Sequence, residues 1–291
     1  MEHGTKQTEL MEQDKGSCSS EDDRTPLKDG PPPARYSGVG LFLLGVAILT
    51  MTIMSFTVMS PPPASSLTIT GRHYDSNGTE IYLGNGCFWE RQWAYYSIES
   101  TEFGRPNDNI TSQVGYAGGS APQGDTVCHH SGDGRDYSRL GHAEVVRVQL
   151  DTSLQAEQFS TLAADFFNSF TGPAGTRSRP DPMDRGRPYR SVVGLPGGRS
   201  SPLYSLLVAA NTFGMKLEDG AGGDPDTFNT IWVYDSRRFP FFAGEVYHQF
   251  HSNFFHSDGM PYPSAYLVAL WRRQQELRLI RPTDCPGGQH W

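Results

Sequence analysis

The sequence predicts an α+β domain that follows a single membrane-spanning helix. The first observation is a run of uncharged, mostly apolar residues over 39–59. The second is a mixture of short β-rich runs and helical runs over the remaining length, about 220 residues, which is enough for one core. These runs do not follow a strict strand-helix-strand rhythm, which favours α+β over a doubly wound sheet.

The composition excludes two broad classes of protein. A net charge of −8 provides no basic excess with which to neutralise nucleic-acid phosphates. Four cysteines in 291 residues are too few for a fold that is built on disulfides. We therefore expect chemistry rather than a covalent framework from the cysteines, which are Cys18, Cys87, Cys128 and Cys285.

Three segments precede the predicted domain. Residues 1–35 are rich in charged residues, Ser, Gly and Pro, and are expected to form a disordered cytosolic tail. Residues 36–60 contain the apolar run, which is long enough for a ~30 Å hydrocarbon core and is interpreted as an uncleaved signal-anchor helix. Residues 61–71 are interpreted as a Pro/Ser stalk, and 72–291 as the folded domain.

The flanking charges predict the orientation of this helix. Cations lie close on its N-terminal side and one lies near its other end: Arg24, Lys28 and Arg35, then Arg72. By the positive-inside rule the tail stays cytosolic, which predicts a single-pass type II membrane protein with a luminal or extracellular domain. Sequons at Asn77 and Asn109 agree with this placement and are candidate glycosylation sites.

Periodicity places the elements of the domain in order. Strands are expected at β-rich runs over 79–84, 111–120, 142–150, 189–197 and 230–236. Helices are expected at runs with few breakers over 88–100, 153–170, 201–213 and 263–280. Ser153 is the expected N-cap of the second helix.

Cys87 lies where the turn after the first strand passes into the first helix. At a helix N-terminus, free backbone N–H groups and the macrodipole favour an anion, which lowers the pKa of a thiol. This context leaves two interpretations open, a nucleophilic thiolate and an inert buried thiol. Glu90, in the same first turn, would repel a thiolate unless it is paired or points away.

Five short motifs follow one another after the predicted span: GCFWE, VGYAGG, GHAEVVRV, DRGRPYRS and PFFAGEVYHQ. In order and spacing they resemble the motifs of the A-type peptide-methionine sulfoxide reductases. They lie within 80–250 and leave a C-terminal helix and tail over 251–291. The resemblance implies a two-layer α/β sandwich with the ferredoxin-like core of that family. It also implies thiol-dependent reduction of methionine-S-sulfoxide, protein-bound or free, to methionine.

The resemblance assigns the two residues at the centre of this chemistry. Cys87 matches the nucleophile, whose thiolate attacks the sulfoxide sulfur, becomes a sulfenic acid and releases methionine. Glu144 matches the carboxylic acid that protonates the departing oxygen, and its apolar neighbours are expected to favour the protonated form.

Five further residues receive supporting roles from the same resemblance. Tyr116 and Tyr189 match hydroxyls that hydrogen-bond the sulfoxide oxygen, and Asp184 matches an aspartate that orders the substrate or water. Phe88 and Trp89 match the aromatic pocket for the substrate methyl group, through which the family selects the S epimer.

Turnover in the family needs a second cysteine, which attacks the sulfenic acid and forms a disulfide that an external dithiol then opens. Cys285, in a Gly-rich tail, is the expected resolving cysteine, and Cys128 is the substitute candidate. Cys18 is expected on the other side of the membrane. No bound cofactor is expected, and the partner is a thioredoxin-like reductant.

Two clusters suggest a rival interpretation, metal binding. Their side chains suit zinc, and they are His248, His251 and His256 in one cluster, with the first two on one helical face, and Cys128, His129 and His130 in the other. Their spacing matches no closed four-ligand pattern, so we expect no metal.

The sequence departs from the family pattern around the pocket. Glu90 replaces the usual glycine, the link over 128–142 is longer than usual, and unusual residues lie between Asp184 and Tyr189: Arg185, Arg187 and Pro188. Two alternatives therefore stay open. One is a related thiol enzyme acting on another sulfoxide or sulfur compound, and the other is a catalytically silent module that binds oxidised partners.

Overall fold

In the computed structural model, which describes residues 77–173, 177–179, 181, 183–251 and 264–286, seven strands form one sheet. The strands are β1 Thr79–Gly84, β2 Gln113–Ala117, β3 Ala143–Leu150, β4 Val192–Leu195, β5 Lys216–Asp219, β6 Thr230–Asp235 and β7 Phe242–Ala243. Their spatial order is β5-β6-β4-β1-β3-β2-β7. The helices are α1 Phe88–Thr101, α2 Gln155–Asn168, α3 Tyr204–Ala210 and α4 Ser264–Glu276.

The centre of the sheet has the ferredoxin-like arrangement. The chain order β1-α1-β2-β3-α2-β4 gives the strand order β4-β1-β3-β2, with every neighbouring pair antiparallel. β6 extends this core in parallel to β4, and β5 pairs in parallel with β6. The mixed sheet confirms the predicted α+β class.

All five predicted strands are present, and two further strands were missed. β5 is short, and three of its four residues are exposed, so it lacks an apolar alternation. β7 has two residues that pair with β2, which is too short for any periodic signal. Both form because a neighbouring strand offers free backbone groups, a cause that lies outside their own sequence.

The four predicted helices are also present, with one error at a boundary. α2 begins at Gln155, and the residue before it is Leu154, with no side-chain hydrogen bond that caps the helix. The expected N-cap at Ser153 is therefore wrong. The predicted helical face of His248 and His251 is wrong too, because Val246–His248 is a single 3-10 turn, after which Gln249 is extended and Phe250 has a φ of +52°.

The two faces of the sheet are filled by alternate residues of each strand. Ile81, Leu83, Val146 and Val148 point to the face that α1, α2 and α3 cover, where the main core lies. Residues of the other parity, such as Tyr82 and Val145 with Ala117, Ala143, Val192 and Tyr234, form a second apolar cluster. Because Glu144 shares the parity of Val146 and Val148, its side chain points to the covered face.

The predicted tail, signal-anchor helix and stalk lie outside the described residues. Among the residues that the structure describes, none of the helices has both the length and the apolar character needed to cross a bilayer.

Candidate active site

A glycine turn between β1 and α1 presents Cys87 at the first turn of the helix. Gly86 has a φ of +105°, and a Cβ there would collide with the Asp184 carboxylate, so the turn requires glycine. The N–H of Gly86 donates to the Tyr189 carbonyl at 3.2 Å. Sequence therefore fixes the turn, but the tertiary fold brings Asp184 and Tyr189 against it.

Two carboxylates from distant segments accept the first N–H groups of α1. The backbone N–H of Cys87 donates to Asp184 Oδ2 at 2.8 Å, and that of Phe88 donates to Glu144 Oε2 at 3.0 Å. Cys87 occupies the N-cap position and is 3% exposed. The predicted location of Cys87 at a helix start is confirmed, and the positive end of the helix dipole faces both carboxylates.

Glu144 lies fully buried beside Tyr116, its cross-strand partner on β2. Besides the Phe88 N–H, Glu144 accepts a hydrogen bond from the Tyr137 hydroxyl, which lies 3.2 Å from Oε1. Both carboxyl oxygens are thus held by donors from other parts of the chain. Tyr137 was not predicted as a site residue, since it lies in the long link and carries no motif.

The Tyr116 hydroxyl donates to Glu245 Oε2 at 2.7 Å. Glu245 is 2% exposed, and its other oxygen accepts a hydrogen bond from the backbone N–H of His129 at 2.7 Å. Burial, followed by the Glu245 charge, raises the pKa of Tyr116 well above its usual value, so the phenol stays protonated. Glu245 was also missed, although its position in the PFFAGEVYHQ motif was a usable signal.

The backbone of Asp184 is held in place by Arg179, which is itself part of an ion pair. Its backbone carbonyl accepts two hydrogen bonds from the Arg179 guanidinium, at 2.9 and 2.7 Å. Arg179 also pairs with Asp226 at 2.7 Å. Tyr189 closes the 3-10 turn that follows and is 5% exposed. The structure therefore brings Asp184 and Tyr189 to the Cys87 turn.

Phe88 and Trp89 lie among imidazoles. Trp89 stacks on His251 with ring centroids 3.8 Å apart, and Phe88 lies 5.3 Å from His248. Burial, with the neighbouring imidazoles, lowers the pKa of His248 well below its usual value. Burial also lowers the pKa of His129 to about 3, so both rings are neutral at pH 7.

Cys128 and Cys285, the two candidates for the resolving role, are bonded to each other across 157 residues of sequence. This disulfide attaches the segment after α4 to the long link, and Cys285 Sγ lies 3.7 Å from the Val127 carbonyl. The two sulfur atoms and a Glu245 oxygen lie within 4.8 Å of one another. They form a group of potential metal ligands, but sulfur in a disulfide is not the thiolate that binds zinc.

Glu90, which had no assigned role, forms an ion pair with its neighbour Arg91 at 3.1 Å. Arg91 also lies 3.9 Å from Asp165 of α2. Pairing with a cation reduces the repulsion that an acidic residue in the first turn would exert on a thiolate.

The fold and this site define a class, an α+β protein with a cysteine at a helix start and buried carboxyl groups around it. The family model described as peptide methionine sulfoxide reductase matches residues 79–197. The MsrA of Photobacterium profundum is 31% identical over 153 residues, which cover 51% of this chain and 62% of that relative. The MsrA of Maricaulis maris is 28% identical over 64% of this chain and 76% of the relative.

Methionine sulfoxide reductase A of Corynebacterium diphtheriae is a similar solved structure, with a TM-score of 0.39 and 19% identity. The matched region covers 64% of this chain and 84% of the Corynebacterium chain. The chain is therefore similar in sequence to peptide methionine sulfoxide reductases of the MsrA type, and it spans less than two thirds of the length of the Photobacterium relative.

Proposed function

We propose that the protein reduces methionine-S-sulfoxide to methionine at Cys87. The observation that carries the proposal is the convergence of Asp184, Glu144 and Tyr189 on the first turn of α1, where Cys87 lies. Sequence similarity to the MsrA relatives supports the same reaction.

In the proposed reaction the Cys87 thiolate attacks the sulfoxide sulfur. The S–O bond breaks, the oxygen passes to the cysteine as a sulfenic acid, and methionine leaves as the thioether. The sulfoxide sulfur gains two electrons and the cysteine sulfur loses them, so this step needs no other oxidant or reductant.

Glu144 is the proposed general acid for this step. The oxygen leaves only when it gains a proton, and a positioned carboxylic acid typically contributes 10²- to 10⁴-fold to such a transfer. Burial of Glu144 keeps water away from the proton, and the Phe88 N–H fixes the carboxyl group at the turn that bears Cys87. After the transfer, the same N–H and the helix dipole stabilise the carboxylate.

The remaining residues have proposed binding roles. Tyr116 and Tyr189 orient the sulfoxide oxygen, Asp184 orders the substrate or a water molecule, and Phe88 and Trp89 contact the methyl group. Tyr116 donates to Glu245 in this structure, so donation to a sulfoxide requires that its hydroxyl rotates when substrate binds.

A second thiol completes the proposed cycle. Cys285, or Cys128 in its place, attacks the sulfenic acid, releases water and forms a disulfide with Cys87, which a thioredoxin-like dithiol reduces. Cys128 and Cys285 are bonded to each other here, and Cys87 is also in a disulfide, so all three cysteines must first be reduced.

Stereospecific assays of the full chain in mild detergent test the reaction. We expect turnover of the S but not the R epimer with dithiothreitol, and none in Cys87→Ser. Cys18→Ser is the matched control and should retain full activity. A folded protein that reduces no sulfoxide would refute the proposal, and sulfoxide binding that persists in Cys87→Ser would instead indicate a silent binding module.

The resolving step has its own test, a comparison of single and multiple turnover. Cys285→Ser should release one methionine per pre-reduced enzyme as the wild type does, yet lose turnover with a thioredoxin-type reductant. If Cys128→Ser alone loses turnover, Cys128 is the resolving residue. Full turnover in both variants would contradict a resolving role for either cysteine. Parallel assays on a peptide, free methionine sulfoxide and a small dialkyl sulfoxide define the substrate class.

We propose that the domain is luminal or extracellular and anchored by the predicted helix over 36–60. Support comes from the flanking charges, from the exposed sequon residue Asn77 and from the Cys128–Cys285 disulfide, a bond that persists in oxidising compartments. Protease protection in sealed microsomes and a glycosidase-sensitive mass shift, lost in Asn77→Gln with Asn109→Gln, test this placement. Cleavage of the domain in intact microsomes would contradict it.

A further inference from the structure

We propose that Tyr137 is a positioning residue for Glu144, the proposed general acid. This inference rests on the proposed function and adds a residue that the family motifs do not contain. Tyr137 lies in the long link over 128–142, and its hydroxyl donates to Glu144 Oε1 at 3.2 Å.

The backbone fixes Tyr137 firmly. Its N–H donates to the Cys128 carbonyl at 2.8 Å, and its carbonyl accepts the His142 N–H at 2.8 Å. The link is therefore tied at both sides of Tyr137, so the position of its hydroxyl is set by the fold.

The ring is fixed by packing as well. Tyr137 is 4% exposed, stacks on His129 with ring centroids 4.9 Å apart, and lies 4.8 Å from the Tyr116 ring. A buried ring between two aromatic neighbours has little rotational freedom, so its hydroxyl is directed at Glu144 before substrate binds.

Tyr116, the cross-strand neighbour of Glu144, does not take this role. A phenol has one proton, and that of Tyr116 is donated to Glu245 at 2.7 Å. Tyr137 and the Phe88 N–H together occupy one lone pair on each Glu144 oxygen, which fixes the plane of the carboxyl group.

The hydrogen bond also changes strength during the reaction. While Glu144 holds its proton, Tyr137 donates to a neutral acid. Once that proton has moved to the departing oxygen, Tyr137 donates to a carboxylate, and such charge-assisted bonds are about twice as strong. Tyr137 keeps its own proton throughout. The bond therefore favours proton transfer, and its loss should lower kcat rather than raise KM.

The test measures single-turnover methionine release by pre-reduced full-length protein over a range of substrate concentrations, so that effects on kcat and on KM are separated. Tyr137→Phe should lower the rate about 10- to 100-fold with KM unchanged. Tyr82→Phe is the matched control, because it also removes a buried hydroxyl, one that donates to the Phe239 carbonyl at 2.9 Å on the other face of the sheet. Its rate should equal that of the wild type.

A double-mutant cycle shows whether Tyr137 acts through Glu144. Added to Glu144→Gln, Tyr137→Phe should cause no further loss, because the acid on which it acts is gone. A wild-type rate in Tyr137→Phe, an effect on KM alone, or the same fold-loss in both backgrounds would overturn the proposal. An inactive wild type would refute the proposed function itself, so the two failures are distinct.

A second replacement covers the case in which Tyr137→Phe does not fold. 3,5-Difluorotyrosine at position 137 keeps the ring and the hydroxyl but makes the hydroxyl a stronger donor. A changed kcat at constant KM supports the proposal, and an unchanged kcat overturns it.

Discussion

The two ends of α1 each meet a fully buried glutamate, and the two glutamates have different surroundings. At the start of the helix, Glu144 accepts a backbone N–H from Phe88 and the hydroxyl of Tyr137. Near the end, Glu99 forms an ion pair with Arg105 at 2.8 Å.

Glu99 is surrounded by donors as completely as a carboxylate can be. Its oxygens accept the Thr111 hydroxyl at 3.0 Å and the N–H groups of Thr111 and Ser112 at 2.7 Å. Arg105 in turn reaches Asp151 at 2.9 Å and the Gln149 carbonyl at 2.8 Å. This network ties the helix end to the start of β2 and the end of β3.

The comparison teaches what a buried carboxyl group can do in each setting. A carboxylate beside a buried guanidinium is one half of an ion pair, and removal of either partner leaves the other charge uncompensated. A carboxyl group that meets an N–H and a hydroxyl can exist with or without its proton. The first arrangement suits a structural role, and the second suits proton transfer.

The largest expected effect is on catalysis at the first end. Glu144→Gln keeps the shape and the acceptor oxygen but has no acidic proton, so the single-turnover rate should fall about 10²- to 10⁴-fold. Glu99→Gln is the matched control and should retain the wild-type rate per folded molecule. Equal rate losses in the two variants would contradict the different roles assigned to Glu144 and Glu99.

The second effect is on stability at the other end. Arg105→Met leaves Glu99 buried without its cation, which should lower the free energy of unfolding by about 3–5 kcal/mol. The rate per folded molecule should not change. Urea unfolding followed by tryptophan fluorescence measures the stability, and a loss below about 1 kcal/mol would show that this ion pair is not structural.

The smallest expected effect comes from His142, a buried histidine that stays neutral in the folded protein. Burial lowers the pKa of His142 to about 4, and its Nδ1 accepts the Gly119 N–H at 3.1 Å. Because the unfolded chain takes up a proton near pH 6.5 and the folded chain does not, stability is full above that pH. It then falls as the pH drops toward 4, by about 1.4 kcal/mol per pH unit for this histidine.

The comparison of wild type with His142→Asn isolates this contribution. Asn offers an acceptor to Gly119 but does not titrate, so its urea midpoint should fall less between pH 6.5 and 4.5. Parallel curves for the two proteins would contradict the assignment.

Much of the fold was predictable because it depends on local pattern. A β-rich run over 79–84 identified β1, and alternation within 142–150 identified β3. The glycine turn followed by a breaker-free run identified α1. β5 and β7 were not predictable, since they form by pairing with β6 and β2 rather than by their own alternation.

The site was predictable only where a motif carried it. Cys87, Glu144, Tyr116, Asp184 and Tyr189 were all named, and the fold brings all five to one turn or one strand pair. Tyr137 and Glu245 were missed. Their importance comes from the residues they contact. Contacts over long sequence separations, such as the 129 residues between Tyr116 and Glu245, produce no periodic pattern in the sequence.

The sequence by itself determined the class of fold, the cysteine at a helix start and the residue types around it, because strand parity and turn chemistry are local. Only the tertiary structure decided how those groups are paired. It directed Tyr116 to Glu245, Tyr137 to Glu144 and Arg105 to Glu99. Which buried carboxyl group meets a cation and which meets a neutral donor depends on segments that converge in space, and that choice separates a structural glutamate from a candidate acid.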